Sequence, residues 1–129
     1  MNLLIYIEIN ELHQLSFKKQ LVSRAKDQLH ELTIIDFDNF SDSYLIDSIL
    51  KMVREAEKVA IIVDVQSAEV GLGGVVKFFN SLIRANKEKV MIIFNGKNDM
   101  LFKMVQVQNH KINLGLEEQV KNLKEFFKA

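Results

Sequence analysis

The chain has 129 residues, enough for one domain with a real core, and residues 1–129 are read as a single unit. Its 17 basic and 17 acidic side chains cancel, which argues against a nucleic-acid-binding domain, whose basic excess would show. No cysteine is present, excluding disulfides, thiolate metal sites and cysteine nucleophiles. The start, "MNLLIYIEINE", is apolar only to Ile9 and has no basic leader, and no apolar run approaches the ~20 residues that span a bilayer. A cytoplasmic protein with no membrane partner is the expectation.

In chain order, Leu3 to Ile9 is a short β-branched run and reads as a strand. From about Glu11 to Glu31 the residues Leu15, Val22, Ala25, Leu29 and Leu32, with Leu21 beside them, form a helical stripe. The opposite face of that helix carries Lys18, Lys19, Arg24, Lys26 and Asp27. Leu32 to Phe37 returns to strand character, Asn39 to Ser43 is a turn and N-cap cluster, and a helix follows on Leu45, Ile49, Met52, Val53 and Ala56. Val59 to Val65 and Val90 to Phe94 are continuous apolar runs, as in strands buried on both faces. Between them lies "DVQSAEVGLGGVVKFFNSL", which delivers a helix from about Gly73 to Asn86. A shorter helix at Met100 to Val107, a weak strand at Lys111 to Leu114 and a last helix from Leu116 to Phe127 complete the chain.

Strand and helix alternate five times, which requires parallel strands joined by crossover helices. Right-handed crossovers place helices on both faces, giving a three-layer α/β/α sandwich with a five-stranded parallel sheet. The two doubly buried strands belong inside. The flavodoxin-like order 2-1-3-4-5 satisfies this.

Such sheets bind ligands beyond the carboxyl ends of their strands, where the order reverses, here between the first and third. Glu8, Asn10, Glu11 and His13 come there from the first strand; Asp64, Gln66, Ser67, Glu69 and the glycines Gly71, Gly73 and Gly74 from the third; Asn95, Lys97, Asn98 and Asp99 from the fourth. Carboxylates dominate this rim, so a phosphate would need a divalent cation such as Mg²⁺ between them. The glycines match neither the dinucleotide fingerprint nor a Walker loop, and the simpler reading is freedom for a turn and close helix–sheet approach. Flavin mononucleotide (FMN) is not expected: there is no tryptophan, only two tyrosines, and no Ser/Thr-rich turn after the first strand.

Asp64 ends a buried strand where receiver domains of two-component signalling carry their phosphoacceptor, and length and alternation also resemble that family. The chain departs from it elsewhere. Glu8 and Glu11 are separated rather than adjacent, Asn95 stands where a Ser or Thr would, and no lysine follows Leu114. The resemblance is to a degenerate receiver and implies no phosphotransfer. "VGLGGVVKFFNSLIRANKEKVMIIF" is similar to the second half of STAS domains, but Glu69 and Val70 replace their Asp-Ser. TIR and deoxyribosyltransferase-like folds need a glutamate on the helix after the third strand, and none occurs between Gly73 and Lys87. The three histidines, His13, His30 and His110, have no metal-ligand spacing.

The third helix carries more apolar surface than one stripe needs: Val76, Phe79, Leu82 and Ile83, widened by Val75 and Phe78. "MLFKMVQV" follows in the same vein. Either these side chains all pack inward or they leave a partner surface made of Val75, Phe78, Leu82, Met100 and Phe102. The expectation is a non-catalytic regulatory or protein-interaction module that binds a protein partner, in the first place a second copy as a homodimer. The alternative is an enzyme or sensor for a nucleotide-like or phosphorylated small molecule at the carboxyl ends of the first and third strands.

Overall fold

The computed structural model describes residues 1–15 and 20–128, the side chain of His13 excepted. Lys18 and Lys19, expected on the outer face of the first helix, lie outside the described residues, as does the orientation expected of His13. The elements are β1 (Asn2–Ile9), a 3₁₀ turn (Leu12–Gln14), α1 (Gln20–Gln28), β2 (Leu32–Asp38), α2 (Ser43–Glu55), β3 (Lys58–Val65), α3 (Val75–Leu82), β4 (Val90–Asn95), α4 (Asp99–Val105), β5 (Asn109–Ile112) and α5 (Leu116–Lys128). All strand pairs are parallel and the order is β2-β1-β3-β4-β5. The α/β sandwich and its flavodoxin-like order are those the alternation requires.

Side chains along β1, β3 and β4 alternate between two cores, as the period of a strand dictates. Leu3, Ile5, Ile7 and Ile9, with their counterparts on β3 and β4, pack under α2, α3 and α4. Leu4, Tyr6, Ala60, Ile62, Met91 and Ile93 pack under α1 and α5. Asp42 caps α2 by accepting a hydrogen bond from the Leu45 amide at 2.8 Å, so the turn cluster at Asn39–Ser43 acts as its composition implies.

Several boundaries move. β5 begins at Asn109, two residues before the expected start, because Met91 and Ile92 pair with Asn109 and His110. Helix α3 ends at Leu82 rather than Asn86, and its successor residues turn toward β4. The long first helix expected from Glu11 is a 3₁₀ turn followed, after the undescribed residues, by α1.

The apolar surface of α3 packs inward. Val75, Phe78 and Leu82 are buried, so these three of the five residues expected at a partner surface do not reach it. The reason is position: α3 lies over the central strands between α2 and α4, and every side of it but one meets protein. Phe78 packs edge-on against Phe37 at 5.2 Å and against Phe79 at 5.4 Å between ring centres. Phe102 is half-buried, edge-on to Phe94 and to the His110 ring, while Met100 is 53% exposed.

Candidate functional site: the carboxyl ends of the central strands

Register places Glu8 beside both Asp38 and Asp64, and Asp64 beside Asn95. By strand alternation these side chains share the α1–α5 face with Tyr6, Ile62 and Ile93. A polar row therefore crosses the sheet at the carboxyl ends of β2, β1, β3 and β4, and the residues expected there from three separate strands do meet. Glu8 is buried and accepts a hydrogen bond from Asn10 Nδ2 at 3.2 Å. Asp64 is engaged at both oxygens: the Tyr6 hydroxyl donates to Oδ2 at 2.5 Å and Gln66 Nε2 to Oδ1 at 2.7 Å. Burial first, then the hydrogen bond and charge of Asp64, then the charge of Glu8, push the Tyr6 phenol far above its ordinary range. Tyr6 is thus a fixed donor, held protonated against a carboxylate.

Asn95 donates through Nδ2 to Gln119 Oε1 at 3.1 Å, and Gln119 Nε2 in turn donates to the Leu114 carbonyl at 2.8 Å. This chain of amides ties β4 to α5. The Asn95 Oδ1 is buried with no hydrogen-bond partner.

The glycine turn sits elsewhere. Gly73 has φ +54°, and a Cβ there would collide with the Asn39 carbonyl; at Gly74 it would collide with the end of Ile46 on α2. Both therefore pack on the α2 side of the sheet, opposite the carboxylate row, and close approach to backbone is what requires glycine at 73. Gly71, which a Cβ would leave unobstructed, contributes its carbonyl to Asn39 Nδ2 at 2.9 Å. Ser67 is half-buried with its amide on the Ile9 carbonyl at 3.2 Å, and Glu69 and Glu11 are exposed. The segments expected to form one acidic cradle thus divide between two sides.

Asn39, absent from the sequence-based set, joins them. It is buried, its Oδ1 accepts from the Asn10 amide at 3.1 Å, and its Nδ2 reaches Gly71, so one side chain fastens the loops after β1, β2 and β3. Tyr6 and Gln119 were missed too. A tyrosine inside an otherwise aliphatic strand was the available signal for Tyr6, since a buried phenol needs a partner; Asn39 was hidden among ordinary turn residues.

Chemically, the row is a hydrogen-bonded network with one buried acceptor, Asn95 Oδ1, left over. Among the described residues no group of three or more His, Asp or Glu side chains is placed to hold a metal ion. Among the same residues no helix is long and apolar enough to cross a membrane. No family model, curated protein or solved structure matches the chain.

Proposed function

We propose that this chain is a non-catalytic protein-interaction module that self-associates through the corner between β2 and α2. The observation that carries this reading is the exposure of Phe40 (50%), Tyr44 (86%) and Leu45 on a backbone that is firmly held. Asp38 Oδ1 accepts from the Phe40 amide at 2.7 Å, the Ser41 hydroxyl accepts from the Asp38 amide at 3.0 Å, and Asp42 caps the helix. The aromatic side chains are thus held out by a hydrogen-bonded turn, where collapse onto the protein would otherwise hide them. Exposed aromatics on a rigid frame are what interface centres use. The expected surface on α3 is replaced by this one; of the earlier set, Met100 stays accessible and Phe102 partly so.

A second copy is the favoured occupant on charge. The chain has no net charge to keep copies apart. Along the exposed side of α2, Asp42 and Asp47 (the latter also paired with Lys77 at 2.7 Å) come early and Lys51 and Arg54 late, ahead of Glu55, so two antiparallel α2 helices set acidic turns against basic ones. A two-fold contact of this kind is the commonest closed assembly. The engagement of both Asp64 oxygens supports the non-catalytic half of the reading, since a nucleophilic or phosphoacceptor carboxylate would have to leave Tyr6 and Gln66. The rival reading, a phosphorylated ligand between β1 and β3, rests on position in the fold alone.

Size-exclusion chromatography with light scattering tests the proposal. A dimer mass that grows in with concentration and disappears in Tyr44→Glu is the expected result. A monomer at every concentration overturns it, as does a dimer indifferent to Tyr44→Glu.

A further inference from the structure

At the carboxyl ends of β4 and β5, next to Asn95 but on the opposite face of the sheet, a cavity of about 190 Å³ opens beside α4. Its apolar wall is Phe94, Phe102 and Ile112, and its rim carries Lys97 and Asp99. The frame is already set. Asn113 takes the left-handed conformation at φ 49°, rare for a residue other than glycine, and donates its amide to the Phe94 carbonyl at 2.8 Å. Its Oδ1 accepts from the Gly96 amide at 3.0 Å, so one residue pins the loops after both strands. Gly96 itself has φ +100°, and a Cβ there would meet the Val65 carbonyl. The loop that presents Lys97 is thereby fixed against β3.

We infer that this cavity binds a free amino acid with a bulky apolar side chain. The volume selects one side chain: an apolar cavity of roughly 150 Å³ accepts a benzene ring, whereas drug-sized ligands occupy roughly 300 Å³ or more. Phe102, half-buried and braced edge-on against the buried Phe94 at 5.9 Å, offers such a group an aromatic wall beside the exposed Ile112. Charge selects the rest. A simple anion would meet Asp99 and a simple cation Lys97, but a zwitterion sets its carboxylate toward Lys97 and its ammonium toward Asp99.

Calorimetry and amide NMR with free L-phenylalanine and L-leucine, compared with phenylacetate and L-phenylalanine amide, provide the test. The two amino acids are expected to bind saturably and to shift the amides of residues 96–99 and 112–113. Phenylacetate, lacking the ammonium, and the amide, lacking the carboxylate, should each bind about tenfold more weakly. Lys97→Glu and Asp99→Lys, both at exposed positions, should lose the same factor, the first with the melting temperature of the free protein unchanged and the second with a drop of a few degrees at most, because Asp99 lies in the first turn of α4. Absence of saturable shifts at those amides overturns the inference. So does equal binding of phenylacetate, or binding that survives both charge reversals.

Discussion

Helix α3 and the start of α2 exchange the roles that their compositions suggest. The first is the most apolar helical stretch of the chain and hides Val75, Phe78, Phe79 and Leu82 completely or nearly so. The second opens on "NFSDSYL", a polar turn by composition, yet carries Tyr44 and Phe40 into solvent. The hydrophobicity of a segment therefore reports how many sides of it are covered. What marks a contact surface is a large side chain kept outside by a backbone that has its own hydrogen bonds.

The contrast can be broken by the same substitution in both places. Phe78→Glu would bury a carboxylate among Phe37, Phe79 and the central strands, and should cost about 4 kcal/mol or more, enough to unfold a domain of this size in mild denaturant. Tyr44→Glu should change stability by no more than about 0.5 kcal/mol while abolishing association. Equal losses of stability in a denaturant titration would show that the two regions are not different in kind.

Next in size, Gly73→Ala forces a side chain onto the Asn39 carbonyl at positive φ and should cost roughly 2–3 kcal/mol, read as a shift in the urea midpoint. Asn39→Ala leaves the Asn10 amide and the Gly71 carbonyl without their partner and should cost about 1–3 kcal/mol. It should also loosen the corner that presents Phe40, seen as faster hydrogen exchange through residues 39–41. If it weakens the fold without touching that exchange, the clamp is not what holds the aromatic side chains out.

Tyr6→Phe should cost less than either, about 1–2 kcal/mol near neutral pH, through the lost hydrogen bond to Asp64. It also carries a pH signature. The phenol titrates higher in the folded protein than in the unfolded chain, so the unfolded chain loses its proton first as pH rises. The contribution of Tyr6 is therefore complete below the ordinary phenol value of about 10 and declines above it. Wild-type stability should fall on that alkaline limb more steeply than Tyr6→Phe; parallel limbs would contradict the buried donor role.

Much of the fold was legible in the sequence. Val59–Val65 and Val90–Phe94 are apolar on both faces, and only an interior place in a parallel sheet buries both. β5 was blurred because its four residues are mostly exposed at the sheet edge and carry no alternating pattern. The carboxylate row was legible in its members, since a residue ending a strand is presented at the carboxyl end, but its grouping depended on register. A single step of register reverses the face, which is why Glu8, Asp64 and Asn95 come together while the glycines fall on the opposite side. Exposure of Tyr44 was invisible for a related reason. The buried stripe of α2 is Ile46, Ile49, Leu50 and Val53, and Tyr44 lies off it; a stripe read instead on Leu45, Ile49, Met52, Val53 and Ala56 leaves Leu45 on the wrong side and hides the exposed corner.

Hydrogen exchange measured on dilute and concentrated protein in parallel tests the central claim most directly, because it reports both where and whether copies meet. Added protection confined to residues 40–51 at high concentration, and missing in Tyr44→Glu, is the predicted result. Protection that appears instead along α3 or α4, or no concentration dependence anywhere, would contradict the account.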